Sequence, residues 1–249
     1  MAMVWRKQSE GRTYEVRSAG RSLRLYTDGV FHTQYNPANP LTGHIWDLLM
    51  LPAFFYEPNV IKRVLVLGVG GGASIHLIKQ FVSPETIVGV ELNPTHIYVA
   101  KRFFKLKHDS IRLIQADAVQ WIKDYNGQKF DMIVDDLFAE ENREPIPAIE
   151  PNANWFKYLL KNVTEHGLIV KNFIDKNSAL SSAGSTNPRI NRNFSSILQL
   201  TTPYNENIAI AYLKQASTSQ ALRNHLVSTP GLNPALKTSR LRYKARRLK

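Results

Sequence analysis

The sequence predicts an α/β protein with a mostly parallel sheet, preceded by a small antiparallel β-rich region. Three observations carry this. From Arg63 to about Lys171 apolar runs alternate with helical segments, as in βαβ units around a parallel sheet. Residues 13–35, TYEVRSAGRSLRLYTDGVFHTQY, instead show short alternating runs separated by Ala19-Gly20 and Asp28-Gly29, which are turn signals between antiparallel strands. A chain of 249 residues, 43% of them hydrophobic, is long enough to bury one large core with an appendage.

Taken in order, 13–35 reads as two or three strands, NPANPLTGHI as a proline-rich crossing, and WDLLMLPAFF as a short helix stopped near Pro58. Strands are then expected over 63–68, 86–91, 111–115, 130–135 and 166–171. Helices are expected over 72–82, 94–105, 117–124 and 153–163, opened by turn or capping residues such as Asn93-Pro94 and Asp117. NIAIAYLK, 207–214, predicts a further strand, and SSAGSTNP, 181–188, a polar loop.

Composition excludes several functions. Without cysteine there is no disulfide, thiol nucleophile or cysteine-ligated metal, which fits a reducing compartment. The seven histidines show no HExxH or paired helical spacing, so no metal is expected. MAMVWRKQSEGRTYE has no apolar leader core, and the longest apolar stretch, IWDLLMLPAFFY, is short and broken by Asp47 and Pro52. A soluble cytoplasmic protein with no membrane partner is expected. The net charge of +12 lies mostly at one end: from Asn207 to Lys249 there are nine Lys or Arg and no acid, so the first 206 residues carry only +3. TSRLRYKARRLK has the charge to touch RNA or anionic lipid. A solvated or loosely docked terminus is the preferred reading, because only Tyr243 is interleaved as an aromatic.

The chemistry begins at VLVLGVGGGASIHLIKQ. Gly68, Gly70, Gly71 and Gly72 lie between a buried strand and a helix, where backbone must approach a ligand closely. Glu91 ends the next strand 23 residues after Gly68, placed to accept both ribose hydroxyls. Those two features fit NAD and S-adenosylmethionine equally. Two more acids separate them: Asp117 opens a helix after the third strand, where it can take an adenine amino group, and Asp135 ends the fourth strand. An acid after each of strands two, three and four suits nucleoside-sulfonium chemistry and is not needed by a nicotinamide.

The segments LRLYTDGVFHTQ, VLVLGVGGGASI, IVGVELNPTHIYVAKRFF, IRLIQADAVQWI, FDMIVDDLF and WFKYLLKNVTEHGLIVKNF resemble, in order and spacing, the polyamine aminopropyltransferases, the spermidine synthase group of the class I methyltransferase-like fold. The resemblance implies a Rossmann-like sheet of about seven strands with an N-terminal β-rich lid. Residues 1–60 would form the hairpin and lid region, 61–214 the S-adenosylmethionine-binding domain, and 215–249 a basic tail. It implies a co-substrate, S-adenosylmethionine or its decarboxylated form, held by Gly68, Gly70, Gly72, Glu91, Asp117 and Ala118. Asp135 would be the general base or amine anchor, with Asp136, His44, Gln34 and Lys171 toward the acceptor. A small-molecule acceptor of polyamine type and a homodimer are likewise implied.

The pattern departs from the family at several places. Gly71 stands where the family has an aspartate that meets the amino group of the decarboxylated co-substrate. Phe138 replaces a second aspartate after the fourth strand, PLTGHI lacks the family's acid near His44, and Lys171 stands where glutamine is usual. A lysine there disfavours a diamine and can neutralise Asp135. The loop DDLFAEENRE offers Asp135, Asp136, Glu140, Glu141 and Glu144 against Arg143, at the rim where a cationic acceptor would enter. The first expectation is therefore transfer of an aminopropyl or related group to an amine other than plain putrescine. The alternatives are methyl transfer and a non-catalytic nucleoside-binding homologue.

Overall fold

The computed structural model describes residues 1–141 and 144–249. Four strands open the chain as an antiparallel meander: β1 (Ala2–Ser9), β2 (Arg12–Ala19), β3 (Ser22–Thr27) and β4 (Val30–Tyr35). β1 is one strand more than the alternation predicts, because it is exposed along nearly its whole length and shows no period-two burial. The meander packs through Val16 and Leu25 onto Val99 and Phe104. α1 (Ile45–Met50) runs into a 3-10 turn, Leu51–Phe55, buried throughout. Asp47, which interrupts the apolar run, accepts hydrogen bonds from the Thr42 amide (2.9 Å), the Thr42 hydroxyl (2.8 Å) and the Gly43 amide (2.8 Å), and so ties down the crossing loop.

The βαβ region follows as expected: β5 (Arg63–Leu67), α2 (Ala73–Leu77, wound on as a π turn over Ile78–Val82), β6 (Thr86–Glu91), α3 (Pro94–Arg102), β7 (Ile111–Gln115), α4 (Ala118–Asp124) and β8 (Phe130–Asp135). A hairpin of β9 (Phe138–Glu141) and β10 (Glu144–Pro147) precedes α5 (Ala153–Asn162) and β11 (Val163–Phe173). Three short helices, α6 (Lys176–Ser181), α7 (Ala183–Thr186) and α8 (Pro188–Asn191), lead to β12 (Ser196–Thr202) and β13 (Asn205–Leu213). α9 (Ser219–Ser228) and β14 (Lys244–Arg247) close the chain.

The large sheet has the order β14-β12-β13-β11-β8-β5-β6-β7, parallel from β11 to β7 and antiparallel beyond. Strand alternation sends Val64 and Val66 to a core shared with α1, α2 and α9, and Leu65 and Leu67 to one shared with α4 and α5. Helices thus cover both faces, as continuous apolar strands require.

Two stretches differ from expectation. The polar run 181–188 is largely helical, because Gly184 lets the backbone press onto Tyr212 and Phe156, whose ring atoms would lie 2.5 and 2.6 Å from an added Cβ. The hydroxyls of Ser182 and Ser185 donate to the Ala179 carbonyl at 2.9 and 3.1 Å, so the serines are spent internally. The basic segment is not a solvated tail either. Leu222 and Leu226 of α9 are fully buried, Leu232 and Leu241 follow them into the core, and β14 pairs with β12 as an eighth strand. Its apolar residues are spaced singly among cations, which hid the docking.

If α9 docks in this way, Leu226→Ala should lower the unfolding free energy by about 2–5 kcal/mol in a urea titration. A loss below about 0.5 kcal/mol, the range of surface substitutions, would show that α9 is not part of the core.

Candidate active site

β5 lies between β6 and β8, and the chain winds outward from it in both directions. The crevice at the carboxyl ends of β5 and β8 is therefore where an open α/β sheet takes its ligands. The glycine turn follows β5. The chain leaving β8 crosses directly over it: a Cβ on Gly68 would meet the Asp136 carbonyl oxygen at 2.3 Å, and the Asp136 amide donates to the Leu67 carbonyl at 2.9 Å. Only glycine permits that crossing.

Glu91, 8% exposed at the end of β6, is bound to the turn itself. One carboxylate oxygen accepts from the amides of Val69 (3.0 Å) and Gly70 (2.9 Å), and the other from the Asn93 amide (2.8 Å), with His96 Nδ1 3.7 Å away. Burial would raise its pKa, but His96 and the amides of Asn93 and Gly70 outweigh it and hold the carboxyl below its usual range. Glu91 is thus ionised and already supplied with donors.

The N-terminal sheet closes the turn from the other side. Thr33 of β4 accepts from the Gly71 amide at 2.8 Å, and a Cβ on Gly71 would lie 2.8 Å from the Thr33 methyl. An aspartate at 71 would require Thr33 to move. Beside it, His32 and His96 lie 4.8 Å apart between ring centroids, and His96 Nε2 is hydrogen-bonded to the Thr27 hydroxyl at 2.9 Å. Burial, then His96, holds His32 down to about 3, so His32 is neutral.

Two adjacent acids end β8 in different surroundings. Asp135 is fully buried, and its Oδ2 accepts from Lys171 Nζ at 2.9 Å and from the Trp155 indole N–H at 2.6 Å. Its Oδ1 has no partner among the described residues. Lys171, 2% exposed, sits opposite Asp135 in the β11–β8 register. Asp136 is half-buried, and its Oδ1 accepts from Asn172 Nδ2 at 2.7 Å; Asn172 in turn accepts from Asn207 at 3.0 Å. Burial raises the Asp136 carboxyl to about 6, with the charges of Asp135 and Glu91 adding to it and the Asn172 hydrogen bond and the charge of Lys171 opposing it.

Gly68, Gly70, Gly71, Gly72, Glu91, Asp135, Asp136 and Lys171 are thereby gathered at the carboxyl end of the sheet. Asp117 caps α4 through the Gln120 amide at 2.9 Å and is exposed, and Ala118 is buried beside it; the Ala116 amide donates to the Glu91 carbonyl at 3.1 Å, joining that corner to the site. Gln34 is held by Arg24 Nε at 2.8 Å across the β3–β4 pair, and His44 lies among Phe31 and Trp46. Of the acidic rim, Glu140 reaches Arg12 at 3.5 Å, Glu141 and Glu144 are exposed, and Arg143 lies outside the described residues. Thr33, Trp155 and Asn172 were not singled out by the sequence. Thr33 adjoins Gln34 and Asn172 adjoins Lys171, and that adjacency was the only signal.

The Spermine/spermidine synthase domain model matches residues 47–219. The chain belongs to the spermine/spermidine synthase family. Polyamine aminopropyltransferase 2 of Caldanaerobacter subterraneus is 28% identical over 49% of this chain, a stretch spanning 40% of that relative's length. A probable spermidine synthase from Corynebacterium glutamicum superposes with a TM-score of 0.74 at 15% identity, covering 99% of this chain and 91% of the other. A spermidine synthase solved in complex with the transition state analogue AdoDATO superposes with a TM-score of 0.67 at 15% identity, covering 92% and 78%. The fold is the class I methyltransferase-like one with an antiparallel N-terminal sheet. No helix among the described residues is long and apolar enough to cross a membrane.

The Asp135–Lys171 pair has a consequence for stability. Lys171→Met should destabilise the fold by about 3–5 kcal/mol, because it strands a buried carboxylate. Adding Asp135→Asn should recover most of that loss in a denaturation double-mutant cycle. Costs that simply add would mean that the two groups are not coupled.

Proposed function

We propose that this protein is an aminopropyltransferase-type enzyme that binds decarboxylated S-adenosylmethionine at the β5–β6–β8 crevice and transfers its aminopropyl group to an amine acceptor, with Asp136 taking the proton. The reading is supported by family membership, by the names of the relatives, and by the neighbour solved with a transition state analogue. The observation that carries it is Asp136, whose backbone crosses the glycine turn and whose half-buried carboxyl is raised to about 6. In the proposed reaction the neutral amine nitrogen attacks the carbon next to the sulfonium, the carbon–sulfur bond breaks, methylthioadenosine leaves with the electron pair, and the amine proton passes to Asp136. A base near neutrality suits that transfer. Asp135 is less suited, since Lys171 and Trp155 engage its Oδ2 in a fully buried site. Its unpartnered Oδ1 is proposed to face the acceptor's amine.

Gly68, Gly70, Gly72, Glu91, Asp117 and Ala118 are proposed to hold the nucleoside. Ribose hydroxyls would share Glu91 with the turn amides, and binding would draw Thr33 off the Gly71 amide. The proposed setting is the cytoplasm, in keeping with a chain free of cysteine.

Methyl transfer is a second reading, favoured by one observation: the Gly71–Thr33 contact leaves no room for the acid that would select a decarboxylated co-substrate. Isothermal titration separates the two. Tighter binding of the decarboxylated form is expected, preference for S-adenosylmethionine would transfer the assignment to methylation, and binding of neither nucleoside would end both.

Asp136→Asn should cut turnover roughly a hundredfold, while the wild-type rate should rise with pH through about 6 as Asp136 ionises. The same variant should be more stable than wild type at pH 7, by about 2 kcal/mol, because it removes a charge that the fold disfavours. Since the folded pKa lies above the unfolded value, that advantage should shrink as pH falls through 6 and vanish below about 4. A variant of unchanged turnover would remove Asp136 from the chemistry.

A further inference from the structure

Two shallow depressions are lined by residues of the C-terminal segment. Both lie along the basic segment and share Arg242. One, of about 260 Å³, is lined by Tyr204, Ser239, Arg240 and Arg242 with the backbone of the 41–43 loop. The other, of about 420 Å³, is lined by Lys237, Arg242 and Tyr243 among apolar residues. Cations of the segment, among them Arg223, Lys237, Arg240, Arg242, Lys244 and Arg246, are exposed, and among the described residues none of these is in an ion pair. The last acid in the sequence is Glu206.

The backbone that carries these cations is held in place. The segment is docked by Leu232 and Leu241, paired through β14 to β12, and Arg242 Nη1 donates to the carbonyls of Ser239 and Leu241 at 3.0 Å each. Tyr204, in the turn between β12 and β13, is 61% exposed, yet one edge of its ring rests on Gly43, where an added Cβ would meet it at 3.2 Å. Thr202, two residues before it, donates to the Gly43 carbonyl at 3.2 Å. A supported ring with an open side, sharing a shallow depression with the Arg240 and Arg242 guanidinium groups, suits a base stacked on the ring and phosphates on the arginines.

We infer that the surface formed by Tyr204, Arg240 and Arg242 binds single-stranded RNA. A membrane would meet the exposed cations but leave the supported face of Tyr204 unused. An acidic protein would satisfy the charge but leave the aromatic rings unused. The inference is independent of the transfer chemistry, and its test needs no turnover.

Fluorescence anisotropy with a labelled single-stranded RNA 12-mer of mixed sequence should give salt-sensitive binding with a log–log slope of about −2, as for three neutralised phosphates. Arg240→Ala with Arg242→Ala should weaken binding about tenfold and flatten that slope by about 1.4. Tyr204→Ala should weaken it at least about fivefold while leaving the slope unchanged. All three positions are exposed, and thermal melting verifies that the variants are folded. Absence of RNA binding, or binding indifferent to both the arginine pair and Tyr204, overturns the inference. Co-sedimentation with phosphatidylserine vesicles, or capture by polyglutamate, in a protein that ignores RNA would overturn it in favour of a lipid or an acidic partner.

Discussion

A carboxylate buried at the end of a parallel strand must find donors, find a cation, or give up its charge, and the carboxyl edge of this sheet contains one acid of each kind. Glu91 finds donors in the amides of Val69, Gly70 and Asn93 and keeps its charge below the usual range. Asp135 finds a cation in Lys171. Asp136 has a single neutral partner, Asn172, and is pushed toward neutrality. These three outcomes follow from the partners each acid meets and fit the proposed division between a structural carboxylate and a proton acceptor. A group held by strong partners gains little by accepting a proton, whereas a group held weakly accepts one readily.

The same requirement explains the N-terminal sheet's position. A glycine turn presents backbone amides with no side chains to cover them, and an uncovered buried amide costs on the order of 1–3 kcal/mol. Here Glu91 covers two and Thr33 covers a third. The turn's amides are all engaged within the chain, so the proposed nucleoside binding would be an exchange of partners in which hydrogen bonding nets little. Burial of the adenine and the charge of the sulfonium would then have to supply the affinity. Neutral His32, packed on His96 over the same spot, adds no positive charge to oppose a sulfonium.

Much of this was legible in sequence. Continuous apolar runs fixed β5, β6 and β8, and the acids at their ends followed from strand length alone. Glycine density marked a close approach, although the approaching group includes this chain's own Asp136 carbonyl and Thr33 methyl. What could not be read was long-range: that Trp155, 20 residues on, would reach Asp135, or that an isolated Thr33 would cover Gly71, 38 residues away. Periodicity reports which face a residue turns to, not which residue it meets. It also failed where burial was sparse, at β1 with no buried face and in the basic segment, whose core contacts are single leucines among cations.

That segment changes how the net charge is to be understood. β14 is separated from β8 by four steps of the sheet, about 19 Å at ordinary strand spacing. This is roughly twice the screening length at physiological salt. The cations at the sheet's edge and the acids around its centre therefore act as separate fields, and neither cancels the other at its own surface. A small cation is drawn to the acidic rim of Glu141 and Glu144, while a polyanion is drawn to the edge, without competing for the same place. A nearly neutral body with a docked basic segment is for this reason two electrostatic surfaces on one fold, and the formal +12 describes neither of them.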